Sequence, residues 1–264
     1  MKEVTTKKLR RFNMIMGGLH LVQAIAMVIL ATSVIQKIGE FSPTITQNFL
    51  AFNEETRALE LTSKGLFDLP FGIMVSMFLF ISAGAHFLVS IPKKLNDTYN
   101  RDLEKGINKF RWFEYALSSS IMIVLISTLF GIYDIASLIL IFIVNASMNL
   151  FGLVMEQLNS GRAAKDTDWG PFILGSIAGV GPWIAIFLYM FGTGNFGSVP
   201  WFVWAIVIVY FIAFNTFPVN MILQYNKVGK WKDYIYGERV YIILSLVAKT
   251  LLAWLVLFGA MQPS

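Results

Sequence analysis

The chain has 264 residues, 56% of them hydrophobic and only 14% charged, with a mean hydropathy of +0.64 and a formal charge of +5. Soluble chains carry about a quarter charged residues, so this composition indicates a multi-pass protein of the cell membrane. The lack of cysteine excludes disulfides, thiolate zinc sites, iron–sulfur clusters and cysteine nucleophiles, and two histidines, His20 and His86, argue against a multi-histidine metal centre.

The opening MKEVTTKKLRR is basic and leads into an apolar span at about 12–36, with no small-residue cleavage site of the kind that ends a signal peptide. A polar segment, about 37–68, carries five acidic residues, and its TITQNFLAF stretch predicts a small hairpin covering a helix end or a partner subunit. A second span, about 69–91, ends at Pro92 and gives way to a charged linker. The third span runs about 109–130, and the turn GIYD introduces a fourth at about 135–158. The linker NSGRAAKDTD precedes a fifth at about 169–191, and the Gly-rich GTGNFGSV a sixth at about 200–225, which carries Pro218 as a candidate kink. The seventh covers about 240–260. Each run approaches or exceeds the ~20 apolar residues that cross a bilayer as a helix. The expected fold is therefore all-α: a single seven-transmembrane-helix bundle over residues 1–264, with no internal repeat or soluble domain.

Basic residues set the orientation. Seventeen of the 21 lysines and arginines fall in the amino tail and in or just beside the even-numbered linkers, only Lys37, Arg57 and Lys64 on the opposite side, and Lys249 inside the membrane. The positive-inside rule places the amino terminus in the cytoplasm and the MQPS tail outside. The same segregation argues against nucleic acid as a partner and leaves membrane lipid as the surrounding phase.

Lys249 lies within YIILSLVAKTLLAW, where a charged ammonium costs roughly 2.5–3.5 kcal/mol on insertion scales. Such a lysine has a partner carboxylate, a wet cavity or a covalent use; the plain alternative is an amine that bonds a carbonyl or snorkels. Counting 1.5 Å per residue puts Lys249 about 16 Å from the cytoplasmic edge and Glu114, in the third span, at about 12 Å, so the two can meet. Glu114 can also pair with Arg111, three residues earlier on the same face. His20, Gln23, Ser82, His86, Ser118, Ser119, Asn145 and Ser245 fall in the same layer, with Ser245 one turn before Lys249. They predict a polar cavity toward the cytoplasm, although each lone histidine equally suits a packing role. Beyond that layer Tyr115, Met148, Trp183, Phe211, Phe214, Phe217 and Trp254 form a candidate aromatic lining for a long, flat, apolar ligand, each of them by itself an ordinary packing residue.

A lysine in the last of seven helices, a carboxylate in the third and an aromatic-plus-proline sixth resemble a retinal-binding microbial rhodopsin, and the closer resemblance is to the heliorhodopsins. Arg111, Glu114 and Tyr115 match the family's arginine, counterion and pocket aromatic; SLVAK matches its seventh helix, with Ser245 where pumps carry a second counterion aspartate. Phe214 and Pro218 keep the spacing of the pocket aromatic and proline, pumps having tryptophan at the first place. His20 with Gln23, and Ser82 with His86, look like the family's cytoplasm-facing cavity, and the inside amino terminus suits this branch. The resemblance spans essentially the whole chain. It implies all-trans retinal joined to Lys249 as a protonated Schiff base with Glu114 as counterion, and no enzymatic activity. It also implies a light sensor whose proton moves into that cavity, and a homodimer in which the first outer loop takes part, acting on an unidentified signalling partner.

A pump needs a carboxylate that reloads the lysine from the far side, and Ser118 and Leu125, one and three turns beyond Glu114, cannot donate. A light-gated or light-driven ion transporter is the alternative function. A retinal-free transporter or membrane enzyme using Lys249 and Glu114 as a charged substrate site is a third, disfavoured by the lack of inverted repeats.

Overall fold

A computed structural model describes residues 3–34, 42–192 and 201–260. The expected MQPS tail, most of the Gly-rich 192–199 connection and the start of the outer loop lie outside the described residues.

The elements in chain order are α1 (Glu3–Ile29, continued by a π-turn at Leu30–Val34), β1 (Thr44–Asn53), β2 (Ala58–Asp68), α2 (Phe71–Ser90), α3 (Lys93–Glu104), α4 (Lys109–Leu129), α5 (Ile135–Asn159), α6 (Gly170–Phe191), α7 (Trp201–Tyr225) and α8 (Tyr234–Ala260). Among the described residues seven helices are long and apolar enough to cross a membrane: α1, α2 and α4 to α8. The protein is a multi-pass membrane helical bundle.

Two expectations change. The 93–108 segment is not merely a linker, because LNDTYNRDL places Leu103, Tyr99 and Asn96 on one buried face and forms the amphipathic helix α3. The last span starts at Tyr234, six residues earlier than hydropathy indicates, so Glu238 lies within α8 rather than at its edge.

Local chemistry fixes the ends. Asn108 caps α4 by accepting the backbone N–H of Arg111 at 3.0 Å, and Asp134 caps α5 by accepting that of Ser137 at 3.0 Å. After α4 the chain stops on Gly131 at φ +86°, where Ile132 N–H bonds Ser127 and Gly131 N–H bonds Thr128, a closure that favours a residue without Cβ.

Consecutive helices pack as neighbours, α1 on α2, α2 on α4, α4 on α5, α5 on α6 and α7 on α8, and α8 closes the ring against α1 and α2. Aromatic side chains join α6 to α7: Trp183 meets Phe211 edge-on at 5.0 Å and Tyr210 at 5.6 Å. The most buried spanning helix is α4. The main apolar core surrounds its second half, with Ile123, Leu125 and Ile126 fully enclosed, whereas the first half meets polar groups. The basic segments share one end of the bundle, where Arg10 donates to the Ser90 carbonyl at 2.6 Å and Ser160 to that of Lys105 at 2.7 Å.

At the opposite end β1 and β2 form an antiparallel hairpin with a register shift between Ile45 and Thr46. It is the small hairpin expected, built from strands of ten and eleven residues. Thr46 N–H bonds the Tyr133 carbonyl at 2.9 Å and Asn48 N–H bonds Asp134 at 3.2 Å, which anchors the hairpin to the start of α5. Much of the rest is exposed, including Leu50, Phe52, Leu59 and Leu61.

Candidate functional site

Lys249, on α8, is 3% exposed and reaches across to α4 and α2. Its Nζ lies 2.5 Å from Glu114 Oε1 and 2.5 Å from Ser82 Oγ, and Ser82 donates to the same carboxylate oxygen at 2.6 Å. The Nζ also sits 5.4 Å from the centre of the Tyr115 ring. An ion pair this deep is held only where both charges are compensated and hydrogen-bonded, and here two helices supply a hydroxyl and an aromatic face to do so. Of the lysine's possible uses, the structure shows a partner carboxylate.

Lys249 also faces a cavity of about 480 Å³, within the ~300–1,000 Å³ range of cofactor pockets. Tyr115, Ser118, Ser119, Met148, Trp183, Phe211, Phe214, Phe217 and Ser245 all line it, together with Pro218. Trp254, expected among them, is not on the wall and packs against the apolar core instead. Gly152 and Gly179 shape the floor by close approach: a Cβ on Gly152 would meet the Trp112 ring at 2.3 Å, and one on Gly179 the Met148 sulfur at 2.7 Å. Tyr115 is pinned by a 3.0 Å bond from its hydroxyl to the Tyr241 carbonyl.

A second cavity, of about 40 Å³, lies toward the basic end and is lined by Ser82, His86, Arg111, Glu114, Ser245, Tyr99 and Glu238 among others. Tyr115 and Ser245 line both spaces, so the lysine region separates an apolar chamber from a polar one. Of the residues expected in the polar cavity, Ser82, His86 and Ser245 line it, as does Arg111. His20 stacks on His86 with ring centres 5.6 Å apart. Gln23 turns its amide back to the Leu19 carbonyl at 3.3 Å, because the side chain can reach its own preceding turn. Asn145 lies on the other side of α4, donating to Ser119 and Ser120 at 2.9 and 3.0 Å, where it ties α5 to α4. Helical depth placed these residues in one layer but not on one side of it.

The alternative pairing of Glu114 with Arg111 does not form. The Arg111 guanidinium bonds Glu156 on α5 and Glu238 on α8, and both carboxylates are 1% exposed. Glu114 and Lys249 are therefore not the only buried acid and base. Glu156 further accepts from Trp112 Nε1 at 2.7 Å, Asn108 N–H at 2.7 Å and the Tyr234 hydroxyl at 2.9 Å. Asn108 Nδ2 donates to Glu238 at 2.6 Å. Arg111 stacks over Tyr241 at 4.1 Å.

Sequence reasoning passed over Glu156 and Glu238, although a carboxylate inside a hydrophobic span is a functional candidate by default and Glu156 stood within the fourth span. It also passed over Asn13, whose Oδ1 lies 2.8 Å from His86 Nδ1. Nothing in the sequence marks that contact, since the two residues are on different helices.

Among solved structures the chain is similar to a light-driven proton pump, LR (Mac), from Leptosphaeria maculans, with a TM-score of 0.60 over 98% of this chain and 95% of that one at 13% identity. At that identity the likeness speaks for the fold alone. No curated protein matches the chain. A heliorhodopsin family profile matches residues 9–261, nearly the whole chain, and with it the seven helices and the buried lysine of the last one. The chain belongs to the heliorhodopsin family.

Proposed function

We propose that this protein is a light sensor that does not pump ions, with all-trans retinal attached covalently to Lys249 and Glu114 as the counterion of that nitrogen. The observation that carries the reading is the position of Lys249 Nζ, 2.5 Å from Glu114 on one side and facing a 480 Å³ aromatic chamber on the other. Family membership supports the retinal photoreceptor, and the residues present fit the group: a buried amine, a paired carboxylate and an apolar wall.

Bound retinal supplies visible absorption and photoisomerisation. The chain's residues do the rest. Glu114 and Ser82 hold the positive charge at the nitrogen, while Trp183, Phe211 and Phe214 give the chamber aromatic walls against which a polyene packs. His86, Ser82 and Ser245 line the polar side that receives a proton once the Lys249–Glu114 pair is disturbed. The tightly packed apolar core around Ile123, Leu125 and Ile126 supports a sensor over a pump, because among the described residues α4 offers no acid there to reload the lysine. The sensor works in the cell membrane as a homodimer, with the exposed apolar residues of the β1–β2 hairpin at the contact, and signals by conformational change to a partner on the basic, cytoplasmic side.

The test is the absorption spectrum of purified protein with and without retinal, beside Lys249→Ala. A visible band that the variant lacks supports the reading, and absorption confined to the ultraviolet overturns it. Light-dependent pH changes or photocurrents in vesicles would replace the sensor with an ion transporter.

A further inference from the structure

The buried Arg111 cluster plays no part in the site described at Lys249, and it borders the same small cavity. One guanidinium faces two carboxylates, so with both of them ionised the cluster holds one negative charge in excess. Arrival of one proton would neutralise it. The two carboxylates are not equivalent. Glu156 accepts from four donors: Arg111, Trp112 Nε1, Asn108 N–H and the Tyr234 hydroxyl. Glu238 accepts from three, one of them the Tyr99 hydroxyl at a long 3.5 Å. Each donor to a carboxylate favours its charged form, so Glu238 is the more available base. Glu238 also lines the small polar cavity, which Glu156 does not.

The same cavity leads back to the lysine. At one end it is bounded by Ser82, Glu114 and Ser245, at the other by Tyr99, Asn108 and Glu238. Its 40 Å³ exceeds the ~10–15 Å³ that one water needs, and the buried Ser245 Oγ and Arg111 Nε on its wall have no protein partner, as a water-bearing cavity requires. Along its wall runs a set of contacts ordered toward Glu238: His86 Nδ1 to Asn13 Oδ1 at 2.8 Å, Asn13 Nδ2 to the Tyr99 oxygen at 3.5 Å, and the Tyr99 hydroxyl to Glu238 at 3.5 Å. Burial and the neighbouring Glu238 carboxylate push the Tyr99 phenol well above its ordinary value, so it remains a donor.

We propose that Glu238 is the proton-accepting carboxylate of the polar side, reached from Lys249 through this cavity and positioned by Tyr99. The proposal deepens the photoreceptor reading and rests on it. In the step, the Nζ–H bond breaks with its electron pair staying on nitrogen, and an O–H bond forms on Glu238. The Arg111 cluster becomes neutral, and Glu114 keeps the negative charge it had. Neutralising Glu238 weakens its hold on Arg111 and loosens α8 from α4 at the cytoplasmic end, which gives the proton a conformational output.

The test is the light-minus-dark infrared difference spectrum of the retinal-loaded full chain. A carboxylic-acid C=O band should rise as the lysine nitrogen deprotonates, vanish in Glu238→Gln and persist in Glu156→Gln. Tyr99→Phe keeps every charge in place and should delay that band about two- to threefold, the rate equivalent of a hydrogen bond at the weak end of the ordinary range. A band that survives Glu238→Gln, disappears in Glu156→Gln, or rises at an unchanged rate in Tyr99→Phe overturns the proposal, as does its absence from the wild type. Should Glu238→Gln fail to fold, Tyr99→Phe decides. Lack of any visible absorption in the wild type would sink the photoreceptor reading instead, so the two failures are distinct.

Discussion

Arg111 and Glu114 stand one helical turn apart on α4, yet their charges are compensated in different places. Glu114 meets Lys249 at 2.5 Å, while Arg111 turns toward the basic end and bonds Glu156 and Glu238. An i,i+3 pairing contributes only about 0.2–0.5 kcal/mol, and two carboxylates from neighbouring helices outweigh it inside the bundle. The separation leaves two charge systems joined by one small cavity: one acid and one base at the lysine, and one base between two acids below it.

Glu114→Gln should move the visible absorption of the retinal-loaded protein to longer wavelength. A carboxylate beside the lysine nitrogen stabilises the positive charge of the ground state, and the amide removes that term. A spectrum unchanged at neutral pH would mean that Glu114 does not carry the counterion charge.

Arg111→Gln should destabilise the protein by about 3–5 kcal/mol, because it leaves Glu156 and Glu238 buried without their shared cation. Thermal unfolding in detergent measures this. The double variant Arg111→Gln with Glu238→Gln should recover part of the loss, since one orphaned charge goes with it.

Two glycines of the large cavity should respond differently to alanine. At Gly152 the new Cβ meets the Trp112 ring at 2.3 Å, and that ring is fixed by its bond to Glu156, so a loss of about 1–3 kcal/mol is expected. At Gly179 the contact is the flexible Met148 side chain. Gly179→Ala should therefore melt closer to wild type and show its effect as a shifted absorption maximum. Equal melting losses would mean that Trp112 is free to move.

Asp134 joins the hairpin to the bundle and titrates in reach of experiment. The Ser137 backbone N–H holds its carboxyl below the ordinary 3.8, with its side-chain hydroxyl and the Asn48 N–H adding to the effect. A depressed carboxyl contributes stability above its unfolded value that is lost as pH falls through the folded one. Hairpin protection in hydrogen exchange should thus hold at neutral pH and weaken below about pH 4. Asp134→Ala should remove the α5 cap, at about 0.5–2 kcal/mol, and abolish that acid dependence.

The sequence by itself determined the bundle. Apolar runs of bilayer length are a one-dimensional property, and so is the segregation of basic residues, which the shared end formed by Arg10, Ser90, Lys105 and Ser160 bears out. Helical rise also placed Lys249 and Glu114 at one depth, and the two do meet. Depth is only one of three coordinates, however. The rotation of each helix and the choice among its neighbours come from packing of whole faces, and only the tertiary structure decided those. It sent Asn145 to the α4–α5 contact, turned Gln23 onto its own helix, kept Trp254 off the cavity wall and swung Arg111 from Glu114 to Glu156 and Glu238. It also began α8 early enough to bury Glu238, because α3 packs over a stretch whose polar residues hydropathy had counted as linker. Charges inside a bundle pair with whatever lies nearest in space, and that is settled by three helices at once rather than by spacing along any one of them.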